Sequence, residues 1–356
     1  MPTVLHGTKE PSTTASLISL GPAGPFPDAS LSRVLERRWL HYAFLTRDLR
    51  SGLVANIAQL GPAHEDPARR ARCTSILLLY HEGEGWIASQ FNGATRTPFW
   101  SSFRQPHAFA EERPFEIAST AGAPWVKLNL ARSSRPCTSQ CAPFAGHQHL
   151  RWQSESGVQA RGDWGFDKRV LRNRAAVGYH ERVRGYWGWP ELGSWVFGFA
   201  NDARGQHGAA PSYAAVFTLI NPPKPDHAAT ASVMLWKDGR LRRHFPRRGV
   251  SVAVSGFLDP NRVRQVPVLA NLLGVPPMQA IPRRLVISAQ MGDDRLLLDF
   301  EAEAAARVVI PCETSLRPFS VHEVIGSCRL EGELNRKPFG FETKGIVEFA
   351  GGAGGD

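Results

Sequence analysis

The 356-residue chain is 42 % hydrophobic and 21 % charged, the profile of an ordinary globular protein with two domains or one large β-rich domain, long enough to bury a core without staples. Its 42 Lys and Arg outweigh 32 Asp and Glu, for a net charge of +10. No helix-turn-helix, zinc-finger or RNA-binding signature accompanies that excess, so nucleic acid is not an expected partner; an arginine-rich soluble surface is, with peripheral contact to acidic lipid headgroups as the second reading.

Residues 1 to 30 are rich in Pro, Ser, Thr and Gly without periodicity and read as a flexible arm. No basic segment followed by a long apolar run opens the chain, and no window is apolar enough to span a bilayer. Five cysteines, an odd number with no framework spacing, point to a reducing compartment, and the expected location is cytoplasmic. Strand patterning then dominates. In "RRWLHYAF", Trp39 and His41 share one strand face and Tyr42 takes the other. Residues 75 to 80 and 86 to 91 flank a glycine-containing turn, and Gln90 falls on the face of Trp86. "CTSQCAPFAGHQH" offers Cys137, Cys141, His147 and His149, but the spacing matches no common zinc module, and no metal site is expected.

The stretch "RAAVGYHERVRGYWGWPELGSWVFGFAND", residues 174 to 202, sets ionisable groups among tryptophans. Strand alternation puts Tyr179 and Glu181 on one face, and His180 and Arg182 on the other; the first pair is expected to look into a barrel lumen. Trp195, Phe197 and Phe199 alternate with Val196 and Gly198. The proline-rich run at 219 to 229 suggests a domain change, giving domains 31–218, with the main pocket, and 219–350, and a disordered tail at 351–356. Asp238-Gly239 and Gly292 mark two further hairpins, and "PNRVRQVPVLANLLG" suggests one short helix. Many antiparallel strands with few helices indicate barrels or sandwiches, each half being about the size of one closed barrel.

Three segments in order resemble the carotenoid 1,2-hydratase (hydroxyneurosporene synthase) family. "GYHERVRG" followed by "SWVFGFA" is similar to its Gly-Tyr-x-Asp-His-x-x-Gly … Trp-x-Trp-Gly region, residues 36 to 61 to its opening strand pair, and residues 326 to 352 to its closing strands. That family sits in a lipocalin-like group with AttH-like proteins, survival-factor-like proteins, and natural-product cyclases and Diels-Alderases. The resemblance implies an all-β fold of two lipocalin-like antiparallel β-barrel domains packed together. It also implies an apolar pocket near their junction or in the first barrel, a hydrophobic small-molecule substrate and no organic cofactor. Here Glu181 stands for the family's Asp, Arg182 for its His and Arg184 for the residue before the glycine; the paired imidazole is lost unless His180 replaces it.

A carboxyl in an aromatic, water-poor setting stays protonated at neutral pH, and aromatic faces steady a carbocation. The expected function is therefore a biosynthetic hydratase or cyclase, a lyase or isomerase acting on an isoprenoid or polyene. Glu181, Tyr179 and His180 are its candidate catalytic residues. Trp39, His41, Tyr42, Gln90, Trp187, Trp189, Trp195 and Phe197 are its candidate substrate-binding residues. A pericyclase and a lipid- or pigment-binding protein without turnover are the alternatives.

Overall fold

The computed structural model describes residues 36–60, 71–95, 113–117, 124–143, 149–166, 169–187, 193–204, 211–221, 230–266, 281–310 and 319–352. Period-two patterning becomes two sheets. The first comprises β1 (Glu36–Thr46), β2 (Ser51–Leu60), β3 (Ala71–His81), β4 (Gly85–Thr95), β5 (Arg113–Ile117), β6 (Trp125–Ala131), β7 (Cys137–Pro143), β8 (His149–Phe166) and β9 (Arg169–Tyr186). Its order is β4-β3-β2-β1-β9-β8-β6-β5, with β7 also on β8. The second comprises β10 (Ser194–Asn201), β11 (Tyr213–Asn221), β12 (Thr230–Lys237), β13 (Arg240–Pro246), β14 (Val250–Phe257), β15 (Val263–Val266), β16 (Pro282–Met291), β17 (Asp294–Ile310), β18 (Phe319–Leu334) and β19 (Lys337–Gly352). Its order is β13-β12-β11-β10-β19-β18-β17-β16-β14, with β15 alongside β17.

Each sheet curls around its own core. Leu40, Phe44 and Leu79 pack with Val126, Leu128 and Trp164 from the far side of the first sheet. Phe217, Leu235 and Phe245 meet Ile287, Leu298 and Phe300 across the second. A third core lies between the sheets, where Trp39, Ala43, Trp152, Tyr179 and Val183 face Trp195, Phe197, Ile325, Ile346 and Ala350. Strands at the junction are thus buried on both faces. That explains the unbroken burial of β10, which sends Trp195, Phe197 and Phe199 to the junction and Val196 and Ala200 to the second core.

The sheet changes between Tyr186 and Ser194, earlier than the proline-rich run suggested, so β10 and β11 belong to the second sheet. The prolines follow β11 and interrupt that sheet rather than divide the two. The expected helix after Pro260 is corrected over its first half. A single 3-10 turn, Pro260–Arg262, leads into β15, which pairs in parallel with β17, and residues 267–280 lie outside the described residues. The Asp238-Gly239 hairpin forms as expected, with φ of 50° and 71° at its two corner residues.

Candidate active site at the junction of the two sheets

The site begins with β1 and β9, which run antiparallel with His41 opposite Glu181 and Ala43 opposite Tyr179. Gly178 makes this close pairing feasible, because a Cβ there would come within 1.9 Å of the Ala43 carbonyl oxygen. The β-bulge at this level falls on β8, between Ser156 and Val158, so β9 stays regular and its alternation survives. Tyr179 therefore points with Trp39 into the junction core, and Glu181 takes the same face. The lumen expectation is corrected here: Tyr179 and Glu181 face the second sheet, not the interior of their own. His180 points the other way, stacked on Tyr42 at 4.1 Å between ring centroids, with Nδ1 3.0 Å from the His41 carbonyl oxygen. Tyr42 in turn lies against Phe115 inside the first sheet. His180 and Tyr42 are thus separated from the Glu181 cluster by the sheet itself.

Glu181 is 3 % exposed. Its Oε2 accepts from Trp152 Nε1 at 2.6 Å and from the Tyr179 hydroxyl at 2.8 Å, and Ser154 Oγ lies 2.7 Å from that hydroxyl. Burial, followed by the charge of Glu348, pushes the Glu181 carboxyl well above the usual carboxylate range; the Tyr179, Trp152 and Trp39 donors act against that rise. Burial, followed by the Glu181 charge, pushes the Tyr179 phenol up. Aromatic rings close the site. Trp39 meets Trp187 edge-on at 5.7 Å and Trp195 at 5.7 Å, while Phe197 lies 4.6 Å from Tyr179 and 6.0 Å from Trp152.

Two further carboxylates complete the cluster from the facing sheet. Glu323 on β18 and Glu348 on β19 are register partners, hydrogen-bonded carboxyl to carboxyl, and Trp195 Nε1 donates to Glu348 Oε1. Burial and the neighbouring Glu348 charge push Glu323 well up, and burial raises Glu348. His41 Nδ1 stands 3.9 Å from Glu323 Oε1, and burial pushes the imidazole down to about 3, so the ring is neutral. Among the described residues, His41, Glu323 and Glu348 are the one group whose potential ligand atoms converge, all within 4.8 Å of one another.

The structure thus gathers Trp39, His41, Tyr179, Glu181, Trp187, Trp195 and Phe197, and places His180 and Tyr42 across the sheet. Trp189 lies outside the described residues, as does the side chain of Gln90, whose backbone pairs with Ile76. Glu323, Glu348 and Trp152 were not anticipated as site residues. Their signal was present: Glu323 stands between Val321 and Ile325, and Glu348 between Ile346 and Ala350, as acids at strand positions whose i±2 neighbours are all apolar. Cys137, Cys141 and His149 form no such group among the described residues, and His147 lies outside them. Two recesses lie elsewhere. One of about 840 Å³ runs past Arg283, Asp299 and Lys344, and one of about 460 Å³ past Arg47, Asn129 and Arg174.

The chain matches no protein-family model and no curated protein. Solved structures match it in fold. NE1406 of Nitrosomonas europaea, proposed to be an AttH, aligns with a TM-score of 0.54 at 13 % identity, over 93 % of this chain and 99 % of that one. CghA solved with Sch210972 aligns with a TM-score of 0.55 at 11 % identity, over 94 % and 95 % of the two chains. CghA without that compound gives 0.52 at 11 % identity, over 94 % and 96 %. The chain has an all-β, two-domain lipocalin-like fold in common with these structures. Within this lipocalin-like pair, the acid cluster occupies the seam between the two domains rather than either lumen. Among the described residues, no helix is long and apolar enough to cross a membrane.

Proposed function

We propose that the protein is an enzyme of the hydratase/cyclase type that binds a hydrophobic isoprenoid or polyene at the junction of its sheets and protonates a C=C bond from Glu181. The observation that carries this reading is a buried carboxyl whose hydrogen-bond partners, Trp152 Nε1 and the Tyr179 hydroxyl, are neutral donors. Both donate to Oε2. The third donor, Trp39, is an indole N–H as well, so no cationic partner holds the carboxyl ionised. Carbon protonation leaves a carboxylate at Glu181 and a cation on the substrate. Trp39, Trp195 and Phe197, which pack around the acid cluster, are the rings that would steady that cation. Capture by water gives an alcohol, and capture by a second double bond gives a ring. In either case one proton returns to Glu181 and the site is restored. The likeness in fold to CghA, solved with Sch210972, supports a small organic ligand in this architecture.

Deuterium labelling tests the reading. A panel of acyclic isoprenoids and polyenes is incubated with the protein in D2O and products are read by mass spectrometry. Protonation at carbon places one non-exchangeable deuterium in the product, and Glu181→Gln lowers the rate by about 10²–10⁴. A product without deuterium, formed at an unchanged rate by Glu181→Gln, replaces this reading with the pericyclic one. A bound compound recovered unaltered replaces it with a carrier.

A further inference from the structure

The His41–Glu323–Glu348 cluster is not used by the proton donation described above. We propose that these three side chains form a binding site for a divalent first-row transition metal, built across the two sheets. The donor set is one imidazole nitrogen and two carboxylate oxygens, a combination that suits Zn²⁺, Mn²⁺ and Fe²⁺ and, lacking sulfur, disfavours Cu⁺.

The imidazole supplies the first argument. His41 is 1 % exposed, and neither ring nitrogen has a hydrogen-bond partner. Buried polar atoms are nearly always paired, so an imidazole with both nitrogens idle calls for an explanation. Its neutral form presents the lone pair that a metal requires. The ring is held edge-on against Phe197, 5.6 Å between centroids, with Nδ1 on the side of Glu323.

The carboxylates supply the second. Glu323 Oε2 is likewise buried without a partner. Glu348 Oε1 already accepts from Trp195 Nε1, the kind of outer hydrogen bond that fixes a ligating carboxylate. The three ligand atoms lie within 4.8 Å of one another, close to the span of up to about 4.4 Å that ligands at bond lengths of about 2.0–2.2 Å from one ion can have. Three protein donors also leave a coordination position for water or a substrate oxygen.

Glu181 is not one of the proposed ligands, since its Oε2 is engaged by Trp152 and Tyr179, so metal retention can be read apart from proton donation. The test uses the full chain, stripped with a chelator, dialysed and titrated with Zn²⁺, Mn²⁺ and Co²⁺, with bound metal read by elemental mass spectrometry and Co²⁺ by its visible absorption. The expected result is one equivalent retained by the wild type and by Glu181→Gln. His41→Gln, Glu323→Gln and Glu348→Gln should each bind more weakly by more than the about 10–100-fold that loss of an outer partner produces. These substitutions are close in shape, and near-ultraviolet circular dichroism confirms folding; any variant that fails that check is replaced by His41→Asn or Glu323→Met. No stoichiometric retention by the wild type overturns the site, as does binding that all three substitutions leave unchanged. Loss of the proton-donor reading alone leaves metal retention intact.

Discussion

Tyr179 joins the packing of the junction core to the hydrogen bonding of its buried acid. Its ring stacks on Phe199 at 5.7 Å, and its hydroxyl bridges Ser154 and Glu181. Tyr179→Phe keeps the ring and removes the bridge, so it should cost about 1–3 kcal/mol, measured by urea unfolding. At this scale the sequence was legible wherever alternation along one strand was the question. The pairing of Trp39 with His41, and of Tyr179 with Glu181, follows from period-two geometry alone. Which side of the sheet those pairs face was not legible, because both faces of β1 and β9 are buried and hydropathy no longer separates inside from outside. Glu323 and Glu348 stayed hidden for a related reason. Their meeting with His41 depends on two sheets docking, and no local spacing encodes that.

At the scale of the element, β9 depends on Gly178. A methyl group there would press on the Ala43 carbonyl oxygen and the Phe44 ring, the latter at 2.6 Å. Gly178→Ala should therefore cost about 1–3 kcal/mol and shift Tyr179 and Glu181 together, seen as a lowered melting temperature with an altered near-ultraviolet spectrum. Turn chemistry was the readable part of this level: Asp238-Gly239 and Gly292 both carry positive φ where hairpins turn. The strand β15 was not readable, since Val263–Val266 becomes a strand by lying against β17, and four residues of mixed polarity with a proline beyond them fit a short helix as well. The sheet boundary was misplaced because proline marks an interruption in a ladder but does not say which sheet the next strand joins.

At the scale of the whole molecule, the junction core joins the two sheets through large rings, with Trp152, Trp187, Trp195 and Phe197 all among its most deeply buried side chains. Residues 36–187 produced alone would present their half of that core to water. The expected outcome is a self-associating or insoluble fragment, read by size-exclusion chromatography, whereas a soluble monomer would mean the first sheet is self-sufficient. The cluster also has a bearing on biosynthesis. His41 lies on β1, and Glu323 and Glu348 on β18 and β19, so a ribosome has delivered all the strands between before these groups can meet. Until β18 and β19 emerge, the oily flank of the early strands lacks the part of its cover that Ile325, Ile346 and Ala350 supply, which invites wrong association. Late docking is the expected consequence of a fold whose buried acid cluster is shared between strands so far apart in the chain.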